Sequence, residues 1–226
     1  MVRGDRGGWV ERLRAWIRRE AEVLGPEFLR VDSILNHQID PAFIGLVGER
    51  LASVFTNSKA NCILTAEAAG NIVAYELARR LNVRALYAKK GKAATMIRPI
   101  VRTVISPTKG TSTDLAISGD YLGPDARVIV VDDFLYQGVT SAALGDMVLE
   151  AGGTLVGFGF VIEKAFAQGR THLDRFDVPI VSLASIASMD PQSGSIVFAE
   201  AEAFTEDGAF AEEGPITSFS GTEADE

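Results

Sequence analysis

R-V-I-V-V-D-D-F-L-Y-Q-G-V-T-S-A-A, from Arg127 to Ala143, is the stretch that decides the fold. A β-branched run leads into two adjacent carboxylates, Asp132 and Asp133, and a short loop through Gly138 and Thr140 then enters a helix-favouring segment from about Ser141 to Glu150. Strand, acidic pair, loop and helix in that order place the pair at the carboxyl end of a strand. In an open α/β sheet, ligands gather at that edge, where the following helix points its free N–H groups and the positive end of its dipole. The backbone of Tyr136, Gln137, Gly138, Val139 and Thr140, with the Thr140 hydroxyl, therefore suits a phosphate. Carboxylates repel phosphate, so the pair must serve something beside it: the vicinal hydroxyls of a ribose, or a bound cation. A sugar phosphate is the ligand this arrangement predicts.

Working outward, the same unit recurs upstream. Ala60–Thr65 reads as a short apolar strand, Ala66–Asn71 as a loop of small residues, and the segment through Leu81 as a helix, with Arg84–Lys89 as the next strand. Such alternation argues for a parallel sheet with right-handed crossovers. The loop Glu67, Ala68, Ala69, Gly70, Asn71 then opens at the same edge as the acidic pair, and its small residues let a ligand approach the backbone. Lys89, Lys90 and Lys92 leave the following strand, with Arg98 and Arg102 beyond. They lead through Ala93–Ser106 into the turn-rich loop Ser106–Thr113, so a cationic hairpin closing over a polyphosphate is expected there. A charge run of this kind is otherwise a solvated face. Downstream, Gly152-Gly153 stops the helix, Thr154–Ile162 is a buried strand with Glu163 and Lys164 at its end, Pro179–Leu183 is a last parallel strand, and Ser195–Ala199 is an edge strand. Glu163 and Lys164 read either as a surface salt bridge or as part of the ligand edge.

Near the start, Trp9, Leu13, Trp16, Ile17, Ala21 and Leu24 share one face at helical spacing over residues 9–24, with arginines opposite. Packing onto its own domain or a partner subunit is the reading preferred over a membrane or nucleic-acid surface. Leu29–Pro41 fits neither period cleanly and is either a connector or a specific site; helical spacing resumes from Pro41 to Phe55.

With 226 residues and 47% hydrophobic content, the chain can bury a core of its own, most simply as one domain with added ends. No apolar run reaches bilayer-spanning length and no secretory signal is apparent, so a cytoplasmic protein without membrane partners is expected. Cys62 lies in an apolar run and reads as a core residue, and two histidines are too few for a histidine-based metal cluster. The net charge of −8 is uneven: residues 199–226 hold nine acidic and no basic side chains, leaving 22 basic against 21 acidic elsewhere. The acidity belongs to the tail, which is expected to be partly ordered at most, with Phe204, Phe210 and Phe219 able to dock locally.

These residues resemble a known family. V-V-D-D-F-L-Y-Q-G-V-T is similar to the phosphoribosyl-pyrophosphate signature of type I phosphoribosyltransferases, and L-R-V-D-S-I-L-N-H-Q-I-D-P looks like the amino-terminal segment of the bacterial xanthine phosphoribosyltransferases. The resemblance runs from about Leu29 to Phe198 through E-A-A-G, A-K-K-G-K, L-A-I-S-G and V-I-E-K-A-F. It implies an α/β fold with a mainly parallel twisted sheet flanked by helices, a small hood and a flexible hairpin loop. It divides the chain into a helical extension (1–28), a phosphoribosyltransferase domain (29–198) and the tail (199–226).

The implied activity is transfer of a phosphoribosyl group from 5-phosphoribosyl 1-pyrophosphate to a purine base, xanthine first among them, with Mg2+ as cofactor and a homodimer as the assembly. By the same resemblance Asp132 and Asp133 take the ribose hydroxyls and contribute to metal binding, Tyr136–Thr140 the 5′-phosphate, and Glu67–Gly70 with Lys90 the pyrophosphate. Leu29, Asn36 and Lys164 address the base. An ammonium at Lys164 would read a 6-oxo group and reject adenine, whose amino group is itself a donor. Tyr136-Gln137 stand where the wider group usually has small or hydroxyl residues, so the phosphate loop should rest on backbone N–H groups. The alternatives are another purine, whether hypoxanthine, guanine or adenine, and a non-catalytic regulator sensing the same sugar phosphate. The regulator would need a DNA-binding module, for which the 28 residues before Leu29 leave little room, so no nucleic-acid partner is expected.

Overall fold

The computed structural model describes residues 8–92, 94–105 and 110–200; the expectations for the acidic tail beyond Glu200 and for 106–109 lie outside them. In chain order the elements are α1 (Gly8–Glu20), β1 (Glu22–Val23), β2 (Leu29–Arg30), α2 (Pro41–Phe55), β3 (Cys62–Ala66), α3 (Gly70–Leu81) and β4 (Arg84–Lys90). There follow β5 (Pro99–Ile105), β6 (Ser112–Ser118), β7 (Arg127–Leu135), α4 (Val139–Glu150), β8 (Thr154–Lys164), β9 (Ile180–Asp190) and β10 (Ser195–Phe198).

Eight strands form one sheet in the order β10-β9-β8-β7-β3-β4-β6-β5. β9, β8, β7, β3 and β4 run parallel, while β10 at one edge and the β5–β6 hairpin at the other are antiparallel. β7 is central, and its β-branched run reads as a continuous apolar stretch because helices cover both faces. Alternate side chains divide the two cores. Ile129 and Val131 face α1, α2 and α3, with Leu13, Ile17, Phe43, Leu51 and Leu77. Val128 and Val130 face α4, with Leu144, Met147, Phe158 and Phe160. Cys62 is buried in the second of these cores, as expected.

Local chemistry sets the helix ends. The Asp40 carboxylate accepts from the N–H groups of Ala42 and Phe43, and Pro41 occupies the first position of α2. Asn82, in the left-handed conformation, closes α3. α1 packs on its own domain through fully buried Leu13 and Ile17; Trp16 meets the edge of Phe43 at 5.5 Å, and Arg50 lies over the Trp9 ring at 4.5 Å. The helical extension is thus part of the principal core.

Several expected boundaries move. α1 stops at Glu20 instead of Leu24, because Glu22–Val23 pairs with Leu29–Arg30 across the Gly25-Pro26 turn and the Arg30 guanidinium binds the Glu22 carboxylate; Leu24 is left exposed. β7 continues past the acidic pair to Leu135, where β8 remains beside it, and α4 begins at Val139, two residues early, because left-handed Gly138 turns the chain directly into it. β9 is longer than expected because β10 pairs with its second half. No helix among the described residues is long and apolar enough to cross a membrane.

Candidate active site

The chain progresses from β3 to β4 on one side and from β7 to β8 and β9 on the other, so the direction of the sheet reverses between β3 and β7. Such a switch point leaves a crevice at the carboxyl ends of the two strands. Pairing between β3 and β7 ends at Leu64 and Val130, and a cleft of about 630 Å³ opens beyond it. Asn36, Glu67, Ala68, Ala69, Lys90, Asp132, Asp133, Val139 and Thr140 are among the residues that line it. Asn36, the Glu67 loop, Lys90, the acidic pair and the start of α4 therefore meet in one place.

Glu67 fastens its loop to the neighbouring strand: its carboxylate accepts from the Lys90 N–H at 2.6 Å, and its own N–H donates to the Ala88 carbonyl. Gly70 starts α3 against the side chains of Thr65 and Asp132; a Cβ there would overlap Thr65 Oγ1 and stand 2.7 Å from Asp132 Oδ1. Only glycine lets the loop, the helix and the carboxylate come together.

The two carboxylates differ. Burial pushes the Asp132 carboxyl well above the usual range, the neighbouring Asp133 charge adds to that, and Lys90 opposes it weakly. Asp133 Oδ2 accepts from Asn36 Nδ2 at 3.0 Å, so the irregular Leu29–Pro41 segment is a hood whose tip reaches the acidic pair. That segment contains a single π-type turn over Asp32–Asn36, a feature frequent at functional sites.

A smaller cradle, lined by Asp132, Phe134, Tyr136, Gln137, Gly138, Val139, Thr140 and Ser141, lies at the start of α4. Gly138 at φ 74° makes it possible, since it turns the Val139 and Thr140 amides to the front of the helix. A carbonyl at Gly169 presses on Gly138 from behind, leaving no room for a Cβ. The Gly169 turn is anchored in turn by Arg170, whose guanidinium makes two 2.8 Å bonds to the buried Glu163 carboxylate and a third to the Ile180 carbonyl.

Glu163 and Lys164 are accordingly not a salt bridge with each other: alternation along β8 sends them to different faces. Arg170→Ala would leave the Glu163 carboxylate buried and unmatched, with an expected loss of about 3 kcal/mol of stability in denaturant unfolding, and Glu163→Gln with intact Arg170 should lose less.

Lys164 lines neither the cleft nor the cradle, and stands beside Phe134 and Tyr136 of the cradle's wall. Its ammonium donates to the Glu27 carbonyl at 2.5 Å and lies 5.1 Å from the Phe134 ring centre and 5.2 Å from that of Tyr136. Burial lowers its proton affinity, and the Glu27 and Asp133 carboxylates draw it back up.

Not every expected residue joins the site. Leu29 is half-buried against the core and lines neither the cleft nor the cradle. Arg98 and Arg102 do not face the ligand edge as the cationic-hairpin reading had them: Arg98 is bound by Asp120, and Arg102 by Glu150 at the far end of α4, about 17 Å along the helix from Val139. For these two the solvated-face reading holds. Three residues escaped the sequence reading. Phe134 was accessible through the period-2 alternation that puts it on the same face as Asp132, and Arg170 through its charge complementarity to Glu163. Glu27, an exposed turn residue, carries no local signal.

No protein-family model matches the chain. A protein named xanthine phosphoribosyltransferase from Pseudomonas entomophila is 39% identical over 192 residues, covering 84% of this chain and all of the relative. Those from Heliobacterium modesticaldum and Moorella thermoacetica are 40% and 41% identical, covering 84% and 80% of this chain and 100% and 92% of their own lengths. Alignments of this length exceed the Leu29–Phe198 span, so the likeness extends beyond it. Among solved structures, the adenine phosphoribosyltransferases of Thermoanaerobacter pseudethanolicus and Rhodothermus marinus both superpose with a TM-score of 0.65. They are 24% and 23% identical, cover 78% and 79% of this chain and 99% and 98% of theirs, and share its fold.

Proposed function

The chain belongs to the xanthine phosphoribosyltransferase family, and from that premise we propose that it transfers the phosphoribosyl group of 5-phosphoribosyl 1-pyrophosphate to xanthine, releasing pyrophosphate and xanthosine 5′-monophosphate. The observation that carries this reading is the convergence of the acidic pair, the Glu67–Gly70 loop and the Gly138–Thr140 amides on one switch-point cleft. The cradle takes the 5′-phosphate on backbone N–H groups, consistent with the bulky Tyr136-Gln137 beside it. Asp132 and Asp133 hold the ribose hydroxyls, the Glu67–Gly70 loop and Lys90 receive the pyrophosphate, and Asn36 and Lys164 face the base, with Leu29 backing the hood from the core.

Oxygen donors suit Mg2+, which favours one or two carboxylates combined with substrate phosphates over a dedicated cage; among the described residues no cluster of three or more His, Cys, Asp or Glu side chains is suited to a metal. Asp132 and Asp133 would contribute to holding it, and the ion would neutralise charge on the leaving pyrophosphate. As the anomeric bond stretches, the sugar gains oxocarbenium character and the acidic pair stabilises it electrostatically, while Lys90 meets the departing charge. The base attacks from the opposite face, and no protein nucleophile takes part. A homodimer is supported by the exposed Tyr75 and half-buried Ile72 on one face of α3, beside the hood's exposed Ile39.

Base-dependent release of pyrophosphate from the sugar donor tests the reading: release that requires both Mg2+ and a purine is expected, and none with any purine would overturn it. Lys164→Ala should reduce the preference for 6-oxopurines over adenine by roughly tenfold or more, measured as the ratio of kcat/KM values. An unchanged ratio would remove Lys164 from base recognition.

A further inference from the structure

β8 and β9 are joined by a segment of three short turns, Ala165–Ala167, Gly169–His172 and Asp174–Phe176, which lies along α4. Two glycines of the helix admit it. Gly138 and Gly145 are seven residues apart, about two helical turns, and so share one face. The Gly169 carbonyl occupies the place where a Cβ of Gly138 would stand, and the Phe176 ring closes on Gly145, where a Cβ would lie 2.7 Å from Cζ. Between these points Leu173 is fully buried in the core that holds Leu144 and Met147, and the Arg175 guanidinium donates to Asp146 at 2.7 Å. The connection is therefore strapped to α4 along its length.

Its front contact bears on the phosphate cradle. Left-handed Gly138 has no side chain to hold its own turn, so the aim of the Val139 and Thr140 amides depends on what stands behind it. Gly169 is buried and fits as closely as Gly138 does: a Cβ there would overlap the Tyr136 carbonyl and come within 2.9 Å of Leu135 Cδ1. Arg170 fixes this glycine. Its planar fork makes two 2.8 Å bonds to the Glu163 carboxylate and a third, of 3.1 Å, to the Ile180 carbonyl, which ties the turn to the end of β8 and the start of β9 at once. Glu163 in turn pairs in register with Leu135, the last residue of β7 before the loop. Contacts run from Leu135 through Glu163, Arg170 and Gly169 back to Gly138, and the phosphate loop is closed into a ring.

We propose that Gly169 and Arg170 are positioning residues for the sugar phosphate: Gly169 backs the Gly138 turn, Arg170 holds Gly169 there, and together they keep the Val139 and Thr140 amides aimed at the 5′-phosphate without touching it. The inference rests on the reading that the cradle takes that phosphate, and it places part of the donor affinity in the β8–β9 connection. A brace that merely stabilised the fold would weaken every ligand alike. A brace of the cradle weakens the 5′-phosphate and spares pyrophosphate, because the Glu67–Gly70 loop is fastened separately, to the Lys90 N–H and the Ala88 carbonyl.

The test uses the full chain as parent, Gly169→Ala and Arg170→Lys, with calorimetric binding of ribose 5-phosphate and, in the presence of Mg2+, of pyrophosphate. Gly169→Ala is expected to weaken ribose 5-phosphate roughly tenfold or more and to raise the KM for 5-phosphoribosyl 1-pyrophosphate by a similar factor, while pyrophosphate affinity stays within about twofold of the parent. Arg170→Lys leaves Gly169 in place and keeps a cation beside Glu163, but an ammonium cannot span the carboxylate and the Ile180 carbonyl together. It should lose about threefold for ribose 5-phosphate alone, and it carries the test if Gly169→Ala does not fold. Unchanged ribose 5-phosphate affinity in either folded variant, or equal losses for the two ligands, would overturn the proposal. A parent that binds pyrophosphate but not ribose 5-phosphate would instead refute the phosphate reading of the cradle, and the proposal with it.

Discussion

Asp132→Asn is expected to raise the melting temperature of the free protein while lowering turnover about a hundredfold or more. Both effects have one origin. Asp132 lies against Gly70 and beside Asp133, where burial and the second carboxylate hold its proton affinity well above the usual range and Lys90 compensates only in part. A group of this kind binds its proton more tightly in the folded chain than in the unfolded one. Stability is therefore fully retained below the ordinary carboxylate range, declines as pH rises through the window up to the raised value, and stays reduced above it.

Asparagine has the same shape and can still accept from the Asp133 N–H, which bonds Asp132 Oδ1 at 3.0 Å, but it carries no charge. Relief on the order of 1 kcal/mol corresponds to roughly 2–4 °C in a domain of this size. In melts across a pH series the parent should lose stability through that window and the variant should not. Equal slopes would mean that the charge at Asp132 carries no cost in the free protein. The loss of turnover follows because the same charge would favour the cationic sugar in the transition state, which a neutral amide cannot do.

Gly70→Ala should have an effect of similar size by a different route. The added Cβ would meet Thr65 Oγ1 and Asp132 Oδ1, both short side chains with little freedom to withdraw, at the first residue of α3. The helix start, the Glu67–Gly70 loop and the carboxylate must then shift together. A turnover loss of about a hundredfold is expected, because sub-ångström placement of catalytic groups is at stake, with destabilisation of about 1–3 kcal/mol. Gly123, where a Cβ meets nothing within 4 Å, provides the control, and Gly123→Ala should behave as the parent. Parent-like kinetics in Gly70→Ala would show that the junction tolerates repacking.

The parallel sheet and its site were legible because their signals are local. A β-branched run ending in acids, a small-residue loop after the preceding parallel strand and a glycine at the front of a helix all declare themselves within about ten residues. The hidden features depend on contacts distant in sequence. Arg170 supports the phosphate loop by pairing with Glu163 and by bringing Gly169 behind Gly138. Glu27 meets Lys164 across 137 positions of the chain. The same limit explains the arginines: charge spacing suggested a cationic flap, but which acidic partner lay nearby, Asp120 or Glu150, was set by the β5–β6 hairpin and its packing against α4. The end of α1 was misplaced because helical periodicity continued into residues that pair better as a hairpin with Leu29–Arg30.

The central claim is phosphoribosyl transfer to a 6-oxopurine, with xanthine preferred. Its most direct test is a competition: the protein, Mg2+ and 5-phosphoribosyl 1-pyrophosphate are mixed with equal concentrations of xanthine, hypoxanthine, guanine and adenine, and the nucleotides formed are quantified by mass spectrometry. Xanthosine 5′-monophosphate should dominate, with adenosine 5′-monophosphate the least abundant product. Predominance of adenosine 5′-monophosphate, or no nucleotide at all, would contradict the account.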